Sequence, residues 1–208
     1  MRTSLVVGAL LAAAVSITHV SDAFGQTPPG AAPAQPPRGG GRGRTVRVMT
    51  LTSPGFADGA VMPAKYSQAG DELSPPLAWT GAPDSTHSYV LIVHDVDVAV
   101  GPSGTDDMLH WMVWNIPAAA RSLAEAIPQG NQLPDGSRQI SASGPYYRGP
   151  GAPASGPAHH YVFEIYALDA NIDVPAVGQS PPLTRAAVEA AMVGKIRARG
   201  TLVGLFKR

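Results

Sequence analysis

The feature of this sequence that most limits its fold is a succession of short apolar runs, each followed by residues that favour turns. Residues 46–51 lead through Thr52 into Ser-Pro-Gly at 53–55, and residues 161–168 are followed by Asp-Ala-Asn. Short runs bounded by Gly, Pro, Asn and Asp are typical of β-strands. Residues 89–93, 111–116 and 201–206 fit the same pattern. The sequence therefore predicts a mainly β domain over residues 45–208.

One segment near the C-terminus shows the spacing of a helix. Val188, Ala191 and Met192 recur at intervals of three and four residues, and Thr184 is a candidate N-cap. Gly200 is a residue type that commonly ends a helix. We therefore expect a C-terminal α-helix that ends at Gly200, followed by a final strand.

The first 44 residues predict two segments outside this domain. Arg2 precedes a small apolar run over residues 5–17, and small residues stand just before Gln26, which is the order found in a secretory signal peptide. We expect a signal peptide over residues 1–25, a periplasmic or secreted mature protein, and no stable membrane span after cleavage. Residues 26–44 are rich in Pro, Gly and Arg and lack large apolar groups, so they predict a disordered tether.

Charge and cysteine content argue against several classes of protein. The chain has 15 basic and 15 acidic residues, so it lacks the positive field that non-specific nucleic-acid binding needs, and we expect no nucleic-acid partner. Without cysteine it has no disulfide, no thiolate metal site and no Cys nucleophile. The motifs of P-loop ATPases, dinucleotide-binding enzymes, α/β-hydrolases and zincins are also missing from the sequence. We expect no cofactor.

Titratable side chains collect at the ends of three predicted strands. Asp95 and Asp97 follow one apolar strand, His110 begins the next, and His159 begins a third. Loops and strand ends on a rigid β scaffold are where binding sites are commonly built. These side chains are therefore candidates for one shared site.

Alternation along a strand sorts the candidate histidines by face. His159 and Tyr161 fall on one face, while His160 turns to the other. The same alternation predicts that His110 shares a face with Met112. Between the second and third strands lies a Gly/Pro-rich loop, residues 148–158, whose free backbone N–H groups could face an anion.

Five ordered blocks of the sequence resemble those of the phosphatidylethanolamine-binding protein family, in particular its bacterial branch of Raf-kinase-inhibitor-like proteins. The resemblance implies a β-sandwich with a C-terminal helix and strand, and a small pocket at one end for phosphate-type ligands. It also implies that the pocket is lined by Asp95, Asp97, His110, Gly149, Pro150, His159 and Tyr161. The blocks are LTSPGF at 51–56, SPPLAW at 74–79, HWMVWNIP at 110–117, YRGP at 147–150 and HHYVF at 159–163.

The function that this resemblance implies is non-enzymatic binding of a small phosphorylated or lipid-headgroup ligand, with inhibition of a partner protein as a further role. Two alternatives stay open: a pure protein-interaction module with a vestigial pocket, and a hydrolase that uses His110, His159 and Asp95. The sequence departs from the family where Val96 and Ala99 replace two prolines. Asp106 and Asp107 follow soon after, and we expect them at the rim of the pocket.

Overall fold

The computed structural model describes residues 45–101, 104 and 106–208, so the predicted signal peptide and tether lie outside it. The described residues form ten strands, one α-helix, α1 (Pro181–Met192), and a 3-10 turn, Ala64–Tyr66. The strands are β1 (Arg47–Val48), β2 (Thr50–Thr52), β3 (Ala60–Val61), β4 (Leu77–Thr80), β5 (Ser88–Val100), β6 (Asp106–Pro117), β7 (Ser122–Leu123), β8 (Arg138–Ile140), β9 (His159–Leu168) and β10 (Ile196–Phe206).

The strands form a larger and a smaller sheet. The larger sheet has the order β1-β10-β9-β5-β6-β8, with β3 also paired to β10, and the smaller sheet has the order β2-β4-β7. The long strands pair antiparallel, whereas the two-residue strands β1 and β3 run parallel to β10. The predicted β-sandwich is confirmed, with short parallel additions along one edge.

The main core lies between the two sheets. Leu51 and Trp79 face it from the smaller sheet, and Leu91, Trp111 and Phe163 face it from the larger one. All five side chains are buried. Burial of this apolar surface is the main force that holds the sheets together.

The larger sheet is also covered on its other face. Val90 of β5 and Trp114 of β6 pack there with Val188 and Met192 of α1. Strands buried on both faces are apolar at successive positions rather than alternating. This explains why the sequence carries continuous apolar runs at β5 and β6.

The predicted C-terminal helix is present, but its bounds differ from those expected. Pro181–Met192 starts three residues before Thr184, because proline is well suited to the first helical position. The helix ends before Gly194, which has a φ of 78° and turns the chain into β10. Gly200 does not end the helix. It lies within β10, where a Cβ atom would stand 2.6 Å from the carbonyl oxygen of Met49.

Candidate functional site

A cavity of about 170 Å³ lies at one end of the larger sheet. It forms where β9 and β6 begin and where the regular part of β5 ends, since antiparallel neighbours bring these ends together. Asp95 comes from β5, His110 from β6, and His159 and Tyr161 from β9. Four of the seven site residues that the resemblance implies therefore line one cavity.

Asp95 and His159 are hydrogen-bonded to each other within this cavity. The Asp95 side chain is almost fully buried, and its Oδ2 lies 2.8 Å from His159 Nδ1. Its other oxygen, Oδ1, accepts a hydrogen bond of 3.0 Å from the backbone N–H of Asp97. Because Asp95 occupies Nδ1, the ring nitrogen of His159 left for a ligand is Nε2.

Tyr161 is a buried phenol that organises the Gly/Pro-rich loop. Its hydroxyl oxygen accepts hydrogen bonds from the backbone N–H groups of Gly151, at 3.2 Å, and Ala152, at 3.1 Å. Burial, reinforced by the nearby Asp95, raises the pKa of Tyr161 to about 12, so the phenol stays protonated. These two loop N–H groups therefore bond Tyr161, whereas the sequence suggested that they face an anion.

His110 presents an unprotonated nitrogen for a ligand. Its Nδ1 lies 2.8 Å from the carbonyl oxygen of Arg148, and a carbonyl can only accept, so Nδ1 carries a proton. The ring meets Tyr161 edge-on, with centroids 5.0 Å apart. Burial lowers the pKa of His110, which favours the neutral ring. In that form Nε2 has a lone pair and acts as an acceptor.

The face predicted for His110 is wrong, because β6 has a bulge at that position. Val93 pairs with Trp111, and the next residue, His94, pairs with Leu109, so His110 is an extra residue on its strand. A bulge breaks the alternation of side chains and re-aims one of them. His110 thus contacts Tyr161 rather than sharing the face of Met112.

Asp97 does not line the cavity. Its carboxylate accepts a hydrogen bond of 2.6 Å from the backbone N–H of His160 and lies 2.9 Å from His160 Nδ1. These bonds lower the pKa of Asp97. Both side chains are largely exposed. Asp97 and His160 thus pair with each other, apart from the Asp95–His159 pair that faces the cavity.

Gly149 and Pro150 are buried behind the cavity wall and do not line it. The Gly149 carbonyl accepts a hydrogen bond of 2.8 Å from the side-chain amide of Gln68, and the Pro150 carbonyl accepts one of 2.9 Å from the Gln68 backbone. Their part is to hold Gln68 and the loop in place.

Asp106 and Asp107 do not line the cavity either, contrary to the expectation from their position in the chain. Asp107 bonds His94 and Arg185 on the helix-covered face of the sheet. The negative charge of Asp107 is therefore already neutralised by nearby cations and is directed away from the cavity.

Sequence reasoning missed several residues of the wall. Met108 of β6 pairs with Asp95 of β5, so its place in the wall can be predicted only when the register of the two strands is known. Gln68 comes from a distant loop after the 3-10 turn, and strand periodicity carries no information about it. The missed residues are Gln68, Val98 and Met108, whereas Arg148, Gly151, Ala152 and Pro153 belong to the Gly/Pro-rich loop that the sequence analysis singled out as a whole.

Neither a metal centre nor a membrane helix is found within residues 45–101, 104 and 106–208. No three side chains of His, Asp or Glu are grouped there so that they could hold a metal ion. No helix in the same ranges is long and apolar enough to cross a bilayer.

Comparison with known proteins identifies the family. The family model described as phosphatidylethanolamine-binding protein matches residues 52–207, which include the whole cavity wall. The chain belongs to this family. The UPF0098 protein of Methanothermobacter thermautotrophicus is 38% identical over 162 residues, covering 77% of this chain and 99% of that protein.

Two solved structures of the family are similar to this one. The phosphatidylethanolamine-binding protein homologue CT736 of Chlamydia trachomatis is 33% identical, with a TM-score of 0.62, over 78% of this chain and 99% of that chain. YbcL of Escherichia coli, described as a new member of the mammalian family, is 26% identical with a TM-score of 0.65, over 77% of this chain and 98% of that chain.

Proposed function

We propose that the cavity binds a small phosphate-type anion, free or as a lipid headgroup, and that the protein acts by binding rather than by catalysis. The observation that carries this proposal is the convergence of His110, His159 and Tyr161 on one cavity, with Arg148 in its wall. At about 170 Å³ the cavity is below the roughly 300–1,000 Å³ of sites for drug-sized ligands, so it suits a small polar group.

The polar groups of the cavity suit a ligand that both accepts and donates hydrogen bonds. His159 Nε2 is a donor for phosphate oxygens when the ring is charged, and Arg148, whose guanidinium bonds Ser143, brings a positive charge to the cavity wall. His110 Nε2 and the carboxylate of Asp95 are acceptors, and they suit a P–OH group or the ammonium of an ethanolamine headgroup. Asp95 also repels an anion, so we expect modest affinity.

The binding should depend on pH through the histidines. Burial lowers the pKa of His110, so the ring gains its positive charge only in acid. A protonated His110 donates from Nε2 and attracts an anion, so affinity should fall as pH rises.

The proposal extends to where the protein works and what it controls. The order of features in residues 1–25 is that of an export signal, and we propose that the mature protein acts in the periplasm or outside the cell. There, an occupied cavity would alter the surface formed by the Gly/Pro-rich loop, through which the protein would inhibit a partner protein.

Nuclear magnetic resonance tests the proposed ligand class directly. Inorganic phosphate, phosphoethanolamine and ethanolamine are titrated into the ¹⁵N-labelled mature protein. We expect the two phosphate compounds to shift the signals of His110, His159 and Tyr161, and ethanolamine alone to do so weakly. If none of these signals responds to either phosphate compound, the cavity is vestigial and an interaction module becomes the better account.

A further inference from the structure

The part of the Gly/Pro-rich loop that lines the anion cavity has no backbone donor to spare. Arg148, Gly151, Ala152 and Pro153 are its lining residues. The N–H groups of Gly151 and Ala152 both donate to the hydroxyl oxygen of Tyr161. The N–H of Arg148 donates to a carbonyl oxygen of β6, 3.0 Å away, and Pro153 has no N–H group. None of these four residues therefore offers a free backbone N–H to an anion.

Two side chains of the same wall present hydrogen-bond acceptors. His110 carries its proton on Nδ1, which donates to the carbonyl oxygen of Arg148 at 2.8 Å, so Nε2 of the neutral ring has a lone pair. Within the described ranges Nε2 accepts no hydrogen bond, and it is accessible rather than enclosed by protein atoms. Asp95 is 2% exposed, and the oxygens of its carboxylate can only accept. The wall is therefore rich in acceptors for a site that binds an anion.

The groups around His110 favour its neutral form. Burial lowers the pKa of His110, and the positive charge of Arg148 acts in the same direction. The carboxylate of Asp95 and the neighbouring loop carbonyls act the other way, but burial outweighs them. Tyr161, which meets the ring edge-on, stays protonated and uncharged. His159, the other histidine of the wall, can add only positive charge. Nε2 of His110 is thus an acceptor at neutral pH.

We propose that the cavity selects oxyanions that carry a P–OH group, as phosphate and phosphomonoesters do, over oxyanions that only accept hydrogen bonds, as sulfate does. This selectivity rests on the proposed function and names the feature of the ligand that decides binding. The P–OH group donates to His110 Nε2, while other oxygens of the ligand accept from the charged ring of His159 and from the Tyr161 hydroxyl. A sulfate oxygen in place of the P–OH group leaves Nε2 without a donor and is repelled by its lone pair and by Asp95.

Phosphate and sulfate are well matched for a test of this selectivity. Both are tetrahedral, and hydrogen phosphate and sulfate are both dianions, so attraction to the positive groups of the wall does not distinguish them. The forms of phosphate present at neutral pH keep a P–OH group, whereas sulfate has no hydrogen to donate. A site with a buried polar group rejects an analogue that lacks the matching partner, because the desolvated group is then left unpaired.

The test titrates sodium phosphate and sodium sulfate into the ¹⁵N-labelled mature protein at neutral pH. We expect the Kd for sulfate to be about tenfold or more above that for phosphate. In His110→Gln the side-chain amide can donate as well as accept, so the ratio of the two Kd values should fall towards equality. Structural damage alone would weaken both anions alike and leave the ratio unchanged. The matched control is His160→Gln, which alters the exposed histidine paired with Asp97 and should keep the ratio.

Two further measurements need no variant. The ¹⁵N shifts of the His110 ring should show a proton on Nδ1 and none on Nε2 at neutral pH. Dimethyl phosphate, a diester without P–OH, should bind as weakly as sulfate. Glycerophosphoethanolamine distinguishes the sources of the phosphate: weak binding restricts the site to free phosphate and phosphomonoesters, and binding as strong as that of phosphate adds a headgroup whose ammonium is the donor.

The failure of this selectivity is distinct from the failure of the proposed function. Equal affinity for sulfate and phosphate, an unchanged ratio in His110→Gln, or a proton on Nε2 of His110 at neutral pH would overturn the selectivity and leave anion binding intact. If phosphate causes no saturable shift at all, the proposed function fails and the selectivity fails with it.

Discussion

Gly149 stands where another backbone segment passes too closely for a side chain. A Cβ atom there would lie 2.6 Å from the carbonyl oxygen of Tyr66 and 2.8 Å from backbone atoms of Ser67. At Gly151 the atoms that a Cβ would meet, 2.5 Å away at the closest, belong to the side chain of Gln68. A packed backbone segment cannot move away from an added Cβ atom, whereas a side chain can rotate away from it.

Substitution of alanine for these two glycines should therefore lower the free energy of unfolding by different amounts. We expect Gly149→Ala to lower the free energy of unfolding by about 1–3 kcal/mol, the usual range for overpacking. Gly151→Ala should cost less than about 1 kcal/mol, because Gln68 can move. Chemical denaturation of the two variants measures the difference. Equal losses would mean that the backbone around Tyr66 yields as easily as the Gln68 side chain does.

At the scale of single residues, alternation along one strand predicts part of the site and fails at the rest. It puts His159 with Tyr161 and turns His160 away, as the structure has them, because β9 is regular from end to end. It fails for His110, since a bulge depends on how β6 pairs with β5 and leaves no mark in the sequence of β6 alone. Alternation also gives no prediction for Asp97, because this residue lies in β5 beyond the last position that pairs with β9.

At the scale of elements, a charged chain ties the β5–β6 hairpin to helix α1. His94 of β5 bonds Asp107 of β6, Asp107 bonds Arg185 of α1, and Arg185 bonds Glu189 one turn further on. Burial opposes the charge on His94, but the hydrogen bond to Asp107 and the carboxylate of Glu164, 3.4 Å away, outweigh it and raise the pKa of His94 to about 9. Burial likewise opposes the charge on Asp107, but hydrogen bonds from His94 and Arg185 lower its pKa to about 2.

The raised pKa of His94 predicts a loss of stability in mild alkali. Its ordinary pKa is 6.5, so the stabilisation is complete below that pH and is lost as pH rises through about 9. We expect the free energy of unfolding to fall by about 1–3 kcal/mol across this window. Denaturation curves recorded from about pH 6 to about pH 10, a range that includes both pKa values of His94, measure this fall in the free energy of unfolding.

Two variants give the controls for this pH profile. His94→Gln should remove the decline, since glutamine does not titrate. His87→Gln, which alters an exposed histidine, should leave the decline in place. A decline that persists unchanged in His94→Gln would contradict the role assigned to His94.

The presence of the strands and the helix can be predicted from the sequence more readily than the residues at which they begin and end. Apolar runs bounded by turn residues predict the four long strands β5, β6, β9 and β10, and burial of both faces makes the runs of β5 and β6 continuous. The run at residues 46–51 instead contains the short strands β1 and β2. The helix bounds are harder to predict. Pro181 and Pro182 look like loop residues until they are read as the first helical positions, and the basic residues after Gly194 resemble a helix end although they begin a strand.

At the scale of the whole molecule, residues 26–44 should contribute nothing to the stability of the domain. They lack large apolar groups to bury, so the free energy of unfolding of a chain of residues 45–208 should lie within about 0.5 kcal/mol of that of a chain of residues 26–208. A longer truncation, to 53–208, removes β1 and β2 with the buried Leu51 and should be clearly destabilised. A large loss on removing 26–44 alone would mean that this segment packs on the domain.

Export should remove the first 25 residues. Intact-mass measurement on protein from an envelope fraction should find a chain that starts near Gln26, because the charged start, the apolar run and the small residues stand in the order that export requires. Full-length protein from Met1 recovered from the cytoplasm would contradict this prediction.

The measurement that tests the central claim most directly is calorimetric titration of phosphoethanolamine into the mature protein and its histidine variants. We expect His110→Ala and His159→Ala each to cost about 1–3 kcal/mol of binding free energy, the range for a hydrogen bond to a charged group. His160→Ala alters the exposed pair with Asp97, and its affinity for phosphoethanolamine should stay within about twofold of that of the unaltered protein. Affinity should fall as pH rises. Equal sensitivity of His160 and His159, or binding that neither cavity histidine affects, would contradict the account.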